Sequence, residues 1–323
     1  MWSEFTTNNF KFNNNNIIIN EDFINKIKKI RNNIIKLPNI DYKINEIIIS
    51  NNKLKQLLNS PWVSQDLNYN DLIYEINISW DNNNLYIKTT KEKFIKFKRR
   101  LPIFLKIINY IKGSNNININ IYLILSNLTK YLEIDKIISP KHINSGYTNI
   151  ITNDVLIWRE EEFEKVTFHE LIHLFLKDHR HEDIELSVEI DGPESFYEAI
   201  TDFKGIIFNI IYISLVTHKK LSSILKYELG FIYNQAKQIN YYLNNCKTDN
   251  IIIQHSPAYS YYILKYFIFS YFSDKYFNEK LFDDIFFKDK YYDKLIELIK
   301  NYKITDNNFI DFKSARMTLF ELN

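Results

Sequence analysis

The sequence predicts an α+β fold, with a small N-terminal and central mixed sheet carrying helices and then a largely helical C-terminal part. Three observations lead there. The hydrophobic period is two over Asp71–Trp80 and becomes helical from Lys91. Ile- and Tyr-rich runs bounded by Asn, Asp or Gly recur up to Trp158, as strands between turns do. Beyond Glu194 the long apolar stretches carry helical spacing. Hydrophobic residues make up 46% of 323, including 23 Tyr and 24 Phe, enough for a sizeable core.

Taken in order, Glu21–Leu37 and Asn51–Leu58 read as helices. Asp71–Trp80 alternates as a strand, Asp81–Asn84 turns the chain, and Leu85–Thr90 pairs back. Lys91–Lys112 is helical, interrupted at Pro102 and ended by Gly113. Asn118–Leu125 is a strand, Asn144-Ser145-Gly146 a turn, and Tyr147–Trp158 one further strand. Glu160-Glu161-Glu162 opens the next helix, three acids at the positive end of its dipole, and that helix runs to about Lys177. A polar loop reaches Gly192-Pro193. Helices follow over Glu194–Val216, Leu221–Asn244, Pro257–Phe272 and Tyr291–Asn301.

The net charge of +2 gives no reason to expect a nucleic-acid partner. One cysteine, Cys246, allows no disulfide framework, so a reducing, intracellular setting is expected. Met1–Asn8 lacks the basic and apolar segments of a signal peptide. The apolar runs Gly205–Val216 and Tyr261–Phe272 fall short of the roughly 18–20 residues that cross a bilayer, so no membrane span is expected. Abundant Asn, Ile and Lys with scarce Gly and Pro fit biased coding, which makes the Asn runs tolerated loops.

The chemistry concentrates in His169-Glu170-Leu171-Ile172-His173, inside the helical segment. Residues four apart share a helix face, so both imidazoles can hold one Zn²⁺ at roughly 2.0–2.1 Å per nitrogen. Glu170, next to the first histidine, can reach a water at the metal without ligating it. The bland alternative is an amphipathic helix with two partly buried histidines. A third ligand has two candidates. His179 has the spacing of H-E-x-x-H-x-x-G-x-x-H, but Leu176 stands where that pattern needs glycine. Glu198 lies 25 residues past His173 on a separate helix, with Asp202 one turn further along the same face. Glu198 as ligand and Asp202 as acceptor for a ligand imidazole N–H is the favoured pairing.

H-E-L-I-H followed by E-A-I-T-D resembles the gluzincin metallopeptidases, whose second helix supplies E-x-x-x-D. The resemblance covers about Tyr147 to Val216. It implies a zincin-like active-site helix, one zinc per chain held by His169, His173 and Glu198, Glu170 as general base and Asp202 behind the ligands. A closer likeness is to uncharacterised gluzincin-like proteins of large DNA viruses. It is carried by Ile143–Gly146, Trp158–Glu161, Lys165-Val166, Tyr259–Lys265 and Arg316–Glu321, and extends from about Pro102 onward. It implies a viral protein, intracellular in a host cell or virion-associated. The organisation expected is an N-terminal α+β region, 1–90, and a gluzincin-like catalytic domain, 91–323.

His255 and Tyr259 are candidates to stabilise the oxyanion of an attacked carbonyl, with Tyr261 or Tyr262 behind them. Arg316 is a candidate for a substrate carboxylate, or a structural ion pair. Tyr147–Trp158 offers an edge to an extended peptide. The expected activity is zinc-dependent hydrolysis of a peptide or protein substrate. The alternatives are a catalytically inactive zinc-containing module that binds a host or viral protein, and a hydrolase of non-peptide amides or esters. Retention of Glu170 favours hydrolysis, since a structural site needs no general base.

Overall fold

A computed structural model describes residues 2–8, 17–61, 63, 67–133, 136–175, 189–192, 195–248, 251–275, 277–288, 290–300, 302–304 and 314–322. The N-terminal part contributes α1 (Glu4–Asn8), α2 (Glu21–Lys36), β1 (Lys43–Glu46), α3 (Asn51–Leu58), β2 (Tyr74–Trp80) and β3 (Asn83–Thr89). Then come α4 (Lys91–Lys98), α5 (Leu101–Lys112), β4 (Asn120–Ser126), α6 (Pro140–Ile143), β5 (Gly146–Asn149), β6 (Asp154–Arg159) and α7 (Phe163–Phe175). The remainder is β7 (Ile190–Asp191), α8 (Phe196–Thr217), α9 (Leu221–Asn245), β8 (Lys247–Thr248), β9 (Ile251–Ile253), a π-helical turn (Tyr259–Leu264), α10 (Lys265–Ser273), α11 (Glu279–Lys288) and α12 (Tyr292–Ile299). The α+β fold with a helical C-terminal part is therefore as expected.

Six strands form one mixed sheet in the order β1-β2-β3-β4-β6-β5. β3, β4 and β6 run parallel, while β1/β2, β2/β3 and β5/β6 are antiparallel. One face, with Ile76, Ile87, Ile121, Leu123 and Ile157, joins the main core against α5, α7 and α8. The other face of β4 and β6, with Tyr122, Ile124, Leu156 and Trp158, is covered by Leu54 and Leu57 of α3. Burial on both faces explains why these central strands read as continuous apolar runs while β2 and β3 alternate.

Several expectations change. Position 90 is no break in packing, because β3 and β4 pair across it in a single sheet. The segment 91–112 is two helices, with Pro102 in the first turn of α5, where its missing N–H costs nothing. The expected strand Tyr147–Trp158 is a hairpin. Asn149 Oδ1 accepts from the N–H groups of Ile151 at 3.0 Å and Thr152 at 3.3 Å, and this turns the chain. Ile150 and Ile151 at its tip are 63% and 89% exposed. They extended the apolar run and hid the turn.

The acids expected to open α7 lie ahead of it and do not form its first turn. The helix starts at Phe163, and Glu161 and Glu162 are buried. Glu162 takes Lys130 Nζ at 2.8 Å and the N–H groups of Met317 and Thr318 at 2.6 Å each. The segment 314–322 is a buried strap, threaded among α7, α8, α9 and the π-helical turn. Its main chain meets Glu228, Gln235, Tyr262 and Lys265 as well as Glu162. β7, β9 and β8 form a further small sheet that the sequence did not announce. Among the described residues, α8 is the helix long and apolar enough to cross a bilayer, and it is 89% buried in the core.

Candidate metal centre

α7 and α8 pack against each other across Gly205, where an added Cβ would stand 3.4 Å from His169 Cβ. That close approach brings the first turns of α8 to the histidines. Ser195 caps α8, accepting the N–H of Glu198 at 3.4 Å, and so fixes the turn that carries Glu198. The Nε2 atoms of His169 and His173 lie 3.0 Å apart. Glu198 Oε2 stands 3.2 Å from His173 Nε2 and 3.4 Å from His169 Nε2. Among the described residues, these three donors form a group of metal-ligating type within 4.8 Å of one another.

Asp202 follows one turn later and is fully buried. Its Oδ1 lies 3.2 Å from His169 Nδ1, which is sealed from solvent and makes no well-aligned hydrogen bond. Lys165 of α7 also bonds Oδ1, and Lys265 at the head of α10 bonds Oδ2 at 2.7 Å. Burial alone would raise the Asp202 carboxyl, but Lys165, Lys265 and His169 hold it well below its ordinary range. Glu198 follows the same logic: burial opposes ionisation, yet His173 and His169 hold it well below the usual carboxylate range.

Glu170 points to the β5 side. Thr148 Oγ1 of the edge strand lies 2.9 Å from Glu170 Oε2 and 2.8 Å from its main-chain oxygen, so its single proton is shared between the two. Burial raises the Glu170 carboxyl against the lowering pull of His169, His173 and Thr148. A cavity of about 30 Å³ opens here, lined by His169, Glu170, Tyr261, Gly146, Ser145 and Lys165 among others. The Tyr261 ring centroid is 5.9 Å from that of His169. Burial first, then the nearby Glu198 and Glu170, keep its phenol well above the usual range and hence protonated.

The structure thus gathers His169, Glu170, His173, Glu198 and Asp202. Of the aromatic candidates named downstream, Tyr261 is the one whose ring lies against His169. His255 is exposed, its backbone N–H donating to Ile138 O at 2.8 Å, and Tyr259 is buried with its N–H on the Gln254 side chain at 3.0 Å. Tyr262 donates to Ala315 O at 2.5 Å, inside the fold. Arg316 pairs with Glu161 at 3.1 Å and Glu321 at 2.5 Å and lies over the Phe5 ring, the ion pair that stood as the alternative to a substrate contact. His179 and Leu176 lie outside the described residues. Sequence reasoning missed Thr148, Lys165 and Lys265 as parts of the site. The lone lysine inside the apolar run Tyr261–Phe272 was the available signal for Lys265.

The residues present fit a zinc ion. Ligand atoms at roughly 2.0–2.1 Å in a tetrahedron stand about 3.3 Å apart. The three separations of 3.0, 3.2 and 3.4 Å bracket that spacing. The donor set of two imidazoles and one carboxylate leaves a fourth position for water or substrate. The exposed fraction falls on Glu198, whose side chain is 24% accessible, against 6% and 10% for the histidines. Comparison with protein-family models, curated proteins and solved structures finds no match to this chain.

Proposed function

We propose that this protein is a zinc-dependent metallopeptidase with His169, His173 and Glu198 as ligands and Glu170 as general base. The observation that carries the reading is the convergence of those three ligand atoms, with Glu170 beside them and outside the ligand set. A zinc ion held by His169, His173 and Glu198 would supply a Lewis acid and would lower the pKa of a bound water to about 7. Glu170 receives the proton from the attacking water, held in place by the Thr148 hydroxyl. Tyr261, protonated and against His169, donates to the oxyanion that develops on the scissile carbonyl. β5 is the outer strand of the sheet and packs on α7, so an extended peptide laid along it passes Glu170.

Metal analysis and an unbiased peptide-library digest test this. Purified protein should hold about one zinc per chain, kept in Glu170→Gln and lost or weakened in Glu198→Ala. Wild type should cleave and Glu170→Gln should not. Zinc uptake with no Glu170-dependent cleavage would replace the peptidase by a zinc-containing binding module.

A further inference from the structure

Asp202 is the partner of His169, yet it is shared. Both of its oxygens receive ammonium groups, Lys165 on Oδ1 and Lys265 on Oδ2. All three side chains are at least 98% buried, so water does not dilute the interaction. The lysines come from different elements and are held independently. Lys165 lies one turn before His169 on α7, with Met317 Sδ 3.4 Å from its Nζ. Lys265 heads α10, and its Nζ also donates to the main-chain oxygen of Met317 at 3.2 Å. The strap therefore contacts both ammonium groups.

A carboxylate that accepts from a ligating histidine and from nothing else raises the donor strength of that imidazole. With two ammonium groups on the carboxylate, less of its charge is available to His169, and the trio carries a net charge of +1 close to the ligands. Both effects act in one direction. The imidazole donates less, and a cation at the ligands meets an adverse field. We propose that Lys165 and Lys265 are positioning residues that withhold Asp202 from His169, so that the centre holds its metal less tightly and leaves it a stronger Lewis acid. This rests on the metal-centre reading given above, and it does not depend on peptide hydrolysis.

Zinc affinity measured by chelator competition tests it, with wild type, Lys265→Met, Lys165→Met and Lys265→Arg. Methionine keeps most of the apolar stem and removes the charge, while arginine keeps the charge. Both methionine variants should bind zinc about tenfold more tightly than wild type, and Lys265→Arg should match wild type. A purely structural role for the lysines gives the opposite sign, because a disordered Asp202 weakens the site. The inference falls if either folded methionine variant binds zinc no more tightly than wild type, or if Lys265→Arg tightens as methionine does. If Lys165→Met fails to fold, Lys265→Met and its arginine control decide. Wild-type protein that takes up no zinc would remove the metal-centre reading and the inference together; a zinc-binding wild type with unchanged variants removes the inference alone.

Discussion

At the scale of single residues, Glu170, the proposed base, is met by a hydroxyl of β5, the strand along which the peptide is proposed to lie. Thr148 donates to Glu170, so replacing it with valine should leave zinc content unchanged and lower kcat by about tenfold with little change in KM, while serine restores the rate. Steady-state kinetics on any cleaved peptide decides this, and a valine variant with wild-type kcat would reject it. On the same reading Tyr261→Phe should cost more, about a hundredfold in kcat, because it removes the proposed donor to the oxyanion. The ligands and Glu170 were legible because helix geometry converts a spacing of four residues directly into one face. Glu198 and Asp202 were legible for the same reason. Tyr261 was named only behind His255 and Tyr259, because its place depends on a π-helical turn, Tyr259–Leu264, where the 3.6-residue period does not hold.

At the scale of elements, two glycines set how closely the working parts approach. An alanine Cβ at Gly146 would stand 2.8 Å from Ile157 Cδ1, 2.9 Å from Val166 Cγ1 and 3.0 Å from Glu170 Cγ. Gly146→Ala should therefore push β5 away from α7, cost about 1–3 kcal/mol and slow hydrolysis. Thermal unfolding and kcat measured together check it, and a variant indistinguishable from wild type in both would show that the contact yields freely. Gly205 differs. There the nearest atom is 3.4 Å away, which alanine tolerates and a branched side chain does not. Gly205→Ala should be neutral or stabilising by up to about 1 kcal/mol, whereas Gly205→Val should separate α8 from α7 and weaken zinc binding. The break at Pro102 was readable from one residue type. The hairpin was not, because its tip carries two isoleucines where turns normally carry Gly or Asn.

At the scale of the molecule, buried charge links distant segments and gives stability a characteristic pH dependence. Glu228 is fully buried, and burial pushes its carboxyl from 4.5 up to about 7. The folded protein keeps a proton there that the unfolded chain releases, so this contribution is complete below 4.5 and is lost as pH rises through about 7. Glu161 and Glu164, also raised to about 7 by burial, act with the same sign. Asp202 acts oppositely: its contribution is present above 3.8 and is lost only in strong acid. The melting temperature should fall between about pH 5 and pH 8, and Glu228→Gln should flatten that fall by a few degrees. An identical slope in the variant would remove Glu228 from the account. None of this was visible in the sequence. The acids at 160–162 look like the start of a helix until the strap is seen to supply N–H groups to Glu162. Pairings that join position 6 to 321, or 162 to 317, leave no local period to read.

The strap has a mechanical consequence. Trp2 and Leu322 form an antiparallel bridge, and Ser3 N–H donates to Glu321 O at 3.0 Å. Tension applied between residues 2 and 322 therefore loads these bonds one after another, as a zipper opens, and not all at once in shear. The line of force next reaches Met317, and through it Glu162, Lys165 and Lys265. Under a pulling load the proposed metal centre should come apart before the six-stranded sheet ruptures, giving a first, low-force extension step whose height depends on added zinc. An optical-trap trace in which zinc alters only the last, highest rupture would contradict this order.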